Sequence, residues 1–288
     1  MFPNTFEYVR AKSVKDALNW LAKPGSKAKL LAGGHSLIPA MKLRLNSPGT
    51  LIDITGIGAL SKITKTGNKI HLGALATHRI VEYSDVVKSH CPVLAEAASG
   101  IGDPQVRNYG TIGGSLAHAD PAADYPAILL ALGAEIEVTG KSKKRVIPAD
   151  KFFKGLFETA LSPKEIITKV SFPVLGKGVG AAYAKFPHPA SRFAIVGVAA
   201  MVTIDSKGKC KEARIAVTGA AASAFRATMV EKALLSQMLD EDAIAAATAN
   251  VSEPDDLLSD LIASAEYRAH LCTVMAKRAL MAAIQRAK

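Results

Sequence analysis

Two adjacent-glycine motifs constrain this chain more than anything else in it: AGGHS at residues 32–36 and TIGGSLAHAD at residues 111–120. Each pair follows apolar sequence and is closed by a serine. A glycine pair lets the backbone take conformations other residues avoid, and lets a ligand approach the main chain closely. Successive N–H groups in such a segment form a small anion-binding concavity, and a helix start beyond it adds its dipole. Ser36 and Ser115 each supply a hydroxyl. Facing one another, the two segments would suit a diphosphate; read separately, they are two tight turns with no ligand. Neither is a G-x-G-x-x-G with an acidic residue about twenty positions on, and no GK[ST] is present, so the dinucleotide fingerprint and the P-loop are both excluded.

The 288 residues are 49% hydrophobic and 21% charged, which implies a folded chain with a full core, and the length implies about two domains. The N-terminus, MFPNTFEYVRAKS, lacks the charged-then-apolar pattern of a secretion signal. The longest apolar run, FAIVGVAAMVTI, is short of the roughly 20 residues of a membrane span and reads as a buried strand or strand pair. Cys91, Cys210 and Cys272 are scattered, so no C-x-x-C motif exists and an iron–sulfur cluster, which takes four thiolates, has no home here. Buried reduced thiols and a cytoplasmic setting, free or at the inner face of the membrane, follow. The net charge of +11 points to nucleic acid, an anionic cofactor or an acidic partner. Nucleic-acid binding calls for clustered basic residues interleaved with aromatics, and here they are spread out. The densest run, KSKKR at 141–145, reads as a solvated hairpin turn.

The elements read in order as follows. Ser13 caps a helix through VKDALNWLA, with Asp16 completing a capping box. KAKLLAGG is a strand ending in glycines, SLIPAMKLRL a short helix or turn, TLIDIT a strand. KIHLGAL is a strand; HRIVEYSDVV and PVLAEAASGI have helical periodicity. DPQVRNYG is expected as a polar turn before the second motif, and DYPAILLALGA as an apolar helix. AEIEVTG and KRVIPA form a hairpin, and EIITKVSFPV is a further strand. Pro173 to Gly180 is rich in Gly and Pro and marks a boundary. Three strands follow, AAYAKF, RFAIVGVAAMVTID and EARIAVTGAA, then a helical tail.

The stretches LAGGHSLIPAMKLRL, DPQVRNYGTIGGSLAHADPAADYPA and SAEYRAHL resemble the FAD-binding medium subunits of the molybdenum hydroxylases, most of all those of the aerobic carbon monoxide dehydrogenase type. The likeness runs over essentially the whole chain. It implies an α+β fold of the vanillyl-alcohol-oxidase and cresol-methylhydroxylase type, with two α+β subdomains at about 1–55 and 56–176. A small domain over 177–288, a three-stranded antiparallel sheet plus helices, follows. It implies noncovalent FAD, an iron–sulfur small subunit and a molybdenum-binding large subunit as partners, and a dimer of heterotrimers. Ala32, Gly33, Gly34, His35 and Ser36 match one pyrophosphate segment of the family; Thr111, Ile112, Gly113, Gly114 and Ser115 match the other. Both glycine segments are expected to hold the pyrophosphate through backbone N–H groups. Asp124 matches an acidic residue that bonds the flavin's sugar portion. Ile101 and Ile167 match apolar positions against the cofactor, and Lys185 a basic residue near it. Three departures stand out. Ser115 replaces a longer asparagine or aspartate. Phe193 stands where relatives carry tyrosine over the isoalloxazine ring. DLIASAEYR lacks an arginine–glycine, so Leu261 to Ser264 is expected to turn differently.

Other residues have plainer readings. His35 is a hydrogen-bonding loop residue. His118, Asp120 and Asp124 lack the spacing of a zinc site, so turn and capping roles are expected for Asp120. Asp103 and Arg107 are placed to pair. The resemblance, together with the absence of cluster ligands and of an acid–base or nucleophile set here, implies electron relay from the partner's iron–sulfur clusters through FAD to an external acceptor. An aldehyde or N-heterocycle dehydrogenase subunit, a stand-alone FAD oxidoreductase and a flavin-free scaffold are the alternatives.

Overall fold

The computed structural model describes residues 1–25 and 27–288. The chain opens with β1 (Glu7–Arg10), α1 (Val14–Leu21), β2 (Ala28–Leu31), α2 (Leu37–Lys42) and β3 (Thr50–Asp53). The three strands form a parallel sheet of order β1-β3-β2, with β3 in the centre and buried throughout. Ser13 caps α1 by accepting the Asp16 N–H. The Asp16 carboxylate reaches back to the Lys12 N–H, one residue beyond the usual capping-box partner. The AGGHS motif leaves the carboxyl end of β2, where a parallel sheet places its ligands.

The middle of the chain holds β4 (Ile63–Thr66), β5 (Lys69–Gly73), α3 (His78–Tyr83), α4 (Asp85–His90), α5 (Pro92–Ser99), α6 (Pro104–Tyr109), α7 (Ile112–His118), α8 (Tyr125–Ala131), β6 (Glu135–Gly140), β7 (Lys144–Pro148), the short pair β8 (Phe153–Gly155) and β9 (Glu158–Thr159), and β10 (Glu165–Pro173). An antiparallel sheet of order β4-β5-β10-β6-β7 buries one face, with Leu72, Ile136 and Phe172, against Leu94, Leu116 and Ile128 of the helices. Three local differences from expectation have physical causes. HRIVEYSDVV is two helices, because Ser84 is extended and its hydroxyl caps α4 at Val87. DPQVRNYG is the helix α6: Asp103 accepts the Val106 N–H, and Pro104 stands in the first helical turn, where it lacks no needed donor. The third is the second glycine pair, which lies inside α7 with Thr111 as its cap.

The remainder forms β11 (Val179–Pro187), β12 (Ala194–Ile204), β13 (Cys210–Thr218), β14 (Phe225–Arg226), α9 (Thr228–Leu234), α10 (Glu241–Thr248) and α11 (Ala265–Ala287). The expected three-stranded sheet has four antiparallel strands, in chain order. The open edge of β13 explains the addition: β14 pairs with it at Ala216 and Val217, and Glu231 takes the Ile215 N–H. The run FAIVGVAAMVTI is essentially one strand because both faces are covered. Ala199 and Met201 join the core of the middle segment, while Val198, Ala200 and Val202 pack with Met275 and Leu280 of α11. Arg214 of β13 donates to the Leu130 and Ala131 carbonyls at the end of α8 and to Asp150, joining the two halves. Asp260 accepts the Ile262 and Ala263 N–H groups, organising the turn before α11. No helix among the described residues is long and apolar enough to cross a membrane.

Candidate functional site

A cleft of about 600 Å³ opens where the parallel sheet, α7 and the tip of the β11–β12 hairpin meet. Ala32, Gly33, Gly34, His35 and Ser36 form one wall. Gly34 has φ +74°, a conformation that favours glycine. A Cβ on Gly33 would lie 2.0 Å from the Tyr109 carbonyl oxygen, so this residue's missing side chain is what lets the first motif touch the segment leading into the second. The His35 ring meets the Tyr109 ring edge-on at 5.9 Å. Among the described residues, the N–H groups of Gly33, Gly34, His35 and Ser36 have no acceptor, and the Ser36 hydroxyl makes no cap bond to α2. They are open donors on one rim.

Thr111, Gly113, Gly114 and Ser115 line the opposite side. Their backbone is differently committed. The Ile112 N–H donates to Ala76, Gly113 to Ala74, Gly114 to the Thr111 hydroxyl and Ser115 to the Thr111 carbonyl. These four N–H groups are not free donors, which corrects the expectation that both segments offer open main-chain N–H. Gly113 is closed in: a Cβ there would meet Ala74 at 2.6 Å. Gly114 is less enclosed: its Cβ position meets one neighbour, the Thr111 cap hydroxyl at 2.9 Å, and no other backbone segment. It presents a bare backbone to the cleft. Ile112 is fully buried behind this wall and does not reach it.

Asp124 closes the end of the cleft, only 4% exposed. It accepts from the Tyr183 hydroxyl at 2.6 Å and from Lys185 Nζ at 2.9 Å, and Lys185 also reaches the Gly100 carbonyl. Burial pushes the Asp124 carboxyl upward, and Lys185 and Tyr183 act against that shift. Lys185 therefore stands behind Asp124 instead of lining the cleft. Tyr183 is the member the sequence reading missed. It sits two residues before Lys185 on β11, hence on the same face, and this was the available signal. Ile101 and Ile167 supply apolar lining, and Phe193 stands at the rim, 45% exposed. Beside it Arg192, at φ +61°, donates to the Gly102 carbonyl.

His78 lines the seam between the two motifs, its N–H bonded to the Gly110 carbonyl and its ring 5.4 Å from that of Tyr125. Burial first, then His35 and Arg107, push its pKa down to about 4, so the ring is neutral at neutral pH. The expected pair of Asp103 with Arg107 is not formed. Asp103 is occupied as a helix cap, and Arg107 pairs with Glu82 at 2.9 Å. Asp120 accepts the Ala122 N–H, and His118 packs on Phe157. Among the described residues, no group of His, Cys, Asp and Glu could hold a metal.

The α+β chain thus presents a glycine-walled cleft bounded on one side by the C-terminal antiparallel sheet. Residues 4–175 match the family described as the FAD binding domain in molybdopterin dehydrogenase, and residues 181–283 match the CO dehydrogenase flavoprotein C-terminal domain. The chain is 40% identical to the 6-hydroxypseudooxynicotine dehydrogenase complex subunit alpha of Paenarthrobacter nicotinovorans, over 100% of this chain and 97% of that one. It is 38% identical to the carbon monoxide dehydrogenase medium chain of Afipia carboxidovorans, over 100% of both. The structure superposes on carbon monoxide dehydrogenase from Hydrogenophaga pseudoflava, in a form lacking the Mo-pyranopterin moiety, with a TM-score of 0.95 and 40% identity, covering 99% of each chain. The chain belongs to the FAD-binding medium subunits of the molybdopterin dehydrogenases, and it is an oxidoreductase subunit of the carbon monoxide dehydrogenase-like group.

Proposed function

We propose that this chain holds FAD noncovalently in the cleft and serves as the electron-transfer subunit of a heterotrimeric molybdenum hydroxylase. The observation that carries the reading is the row of unpartnered N–H groups from Gly33 to Ser36 facing the bare backbone of Gly114. A pyrophosphate fits that arrangement: donors on one side, close approach on the other, and the unengaged Ser115 hydroxyl beside it. Ala32 to Ser36, with Thr111 and Gly113 to Ser115, would hold the phosphates, and Ile112 would support the second segment from behind. Asp124, positioned by Tyr183 and Lys185, would stand at the sugar, and Ile101, Ile167 and Phe193 at the apolar portion. Bound FAD supplies two-electron and one-electron redox chemistry, and the protein positions and tunes it. Neutral His78 adds no charge to the cleft. The working units are residues 1–176, with subdomains at about 1–55 and 56–176, and residues 177–288.

An iron–sulfur small subunit would deliver electrons and a molybdenum-binding large subunit would oxidise the substrate, the whole being a dimer of heterotrimers. The full-length likeness to the 6-hydroxypseudooxynicotine dehydrogenase subunit supports a second reading of the complex, as an N-heterocycle dehydrogenase. That choice rests with the large subunit. The test is spectroscopic. The chain, purified alone and as its complex, should carry flavin absorption that denaturation releases into solution. Absence of flavin from both preparations defeats the reading.

A further inference from the structure

A second concavity, of about 710 Å³, shares no lining residue with the cleft. It lies on the other face of the five-stranded sheet, between that face and α1. Its floor is mixed: Leu18 of α1 and Leu60 are apolar, and Thr139 and Thr168 bring hydroxyls. Its rim is basic. Lys15 comes from α1, Lys62 from the residue just before β4, and Lys141 and Lys144 from the β6–β7 hairpin. Among the described residues none of these four forms an ion pair, and Lys144 acts through space on Glu137. The lone lining carboxylate among the described residues, Glu137, is taken by Lys169 at 3.0 Å and by the Thr168 hydroxyl at 2.9 Å. The KSKKR run is thus divided in two. Arg145 turns to Glu165, while Lys141 and Lys144 stand over the groove.

Like charges around one opening add to a positive field that water alone screens, and a concavity focuses that field toward an occupant of opposite charge. The four lysines come from three separate segments around a floor with an apolar part at Leu18 and Leu60, not from one converging point. That pattern suits an extended occupant with several negative charges and an apolar contact, rather than a single small anion. We propose that this groove docks an acidic polypeptide segment of a partner subunit, its carboxylates on the rim lysines and an apolar side chain over Leu18 and Leu60. The proposal rests on the reading that the chain works within a complex. It also gives a place to part of the +11 charge, which the cleft does not absorb.

The experiment uses the native complex, isolated from its own host through a tag on this chain. Zero-length carbodiimide coupling joins amines only to carboxylates in contact. It should link Lys62, Lys141 or Lys144 to Asp or Glu of a co-isolated subunit, and those lysines should resist acetic anhydride in the complex but not in the isolated chain. The combined Lys62→Glu, Lys141→Glu, Lys144→Glu variant should keep its thermal stability and flavin, and lose about tenfold or more in co-isolated partner, with the wild-type interaction weakening as salt rises. Equal acetylation in complex and isolated chain overturns the proposal, as does undiminished co-isolation of the variant or isolation of the chain alone. Wild-type binding to phosphatidylglycerol vesicles or to duplex DNA that the variant loses, without cross-links, assigns the groove to lipid or nucleic acid instead. Cross-links present without flavin defeat the cofactor reading alone; flavin present without cross-links defeats this one alone.

Discussion

The two glycine motifs look alike in sequence and are built differently. AGGHS is a true loop: Gly34 is left-handed, Gly33 is pressed against the Tyr109 carbonyl, and the N–H groups of Gly33 to Ser36 have no acceptor among the described residues. In TIGGS both glycines sit in a capped helix whose N–H groups are all engaged. The first motif contributes donors; the second contributes a surface without side chains. Within each pair the labour is divided again. Gly33 and Gly113 make room for neighbouring backbone segments, whereas Gly114 makes room for the Thr111 cap and lines the cleft.

The sharpest way to break this comparison is at the packed glycines. Gly33→Ala and Gly113→Ala place a Cβ 2.0 Å and 2.6 Å from backbone oxygens that have no flexible arm to move. Each should cost about 3 kcal/mol or more in urea unfolding, and flavin should be lost with the fold. A mild cost for either would mean that its neighbour segment is not fixed as described.

Next is the seam. His78 has a folded pKa of about 4 against an ordinary 6.5, so the folded state resists protonation between those values. Its contribution is fully present above pH 6.5 and is lost as pH falls to about 4, with a magnitude of about 3 kcal/mol. Unfolding midpoints followed from pH 7 to 4 should show this fall, and His78→Gln should flatten it.

Gly114→Val separates surface from scaffold. Its Cβ position lies 2.9 Å from the Thr111 hydroxyl that caps α7, so a valine crowds the cap and should cost about 1–2 kcal/mol, short of unfolding the chain. Flavin affinity should nonetheless drop about a hundredfold, equivalent to about 2.7 kcal/mol, as read by fluorescence titration of the stripped protein. Undiminished flavin binding would make the second motif purely structural. The smallest effects distinguish the two hydroxyls that open the helices. Thr111 caps α7, so Thr111→Ala should cost about 1 kcal/mol. Ser36 makes no cap bond, so Ser36→Ala should stay within about 0.5 kcal/mol in stability while weakening flavin retention.

Much of this was legible from local signals. Ser13 caps the helix it was expected to cap, and the unbroken apolar run of β12 was visible as a buried strand or strand pair, of which the single strand forms. The helix after Asp103 was legible too, since Asp-Pro is a start signal, but the polar composition of DPQVRNYG hid it. The fourth strand of the last sheet is two residues long and has no signature of its own; the unpaired edge of β13 creates it. The partner of Asp103 was misjudged because an i, i+4 spacing suggests pairing, whereas the cap bond at Val106 and the approach of Glu82 from α3 decide otherwise.

By itself the sequence determined that two glycine pairs would bring bare backbone to two places, and the family likeness of their flanks determined what class of chain this is. Hydrogen-bond capacity and side-chain volume are properties of residues, so they survive in the string of letters. Only the tertiary structure decided which N–H groups stay open, that Tyr183 and Lys185 come from the far half to hold Asp124, and that two lysines of KSKKR stand over a groove. Those outcomes depend on which acceptor, charge or empty space arrives from elsewhere in the chain, and local sequence carries no record of that.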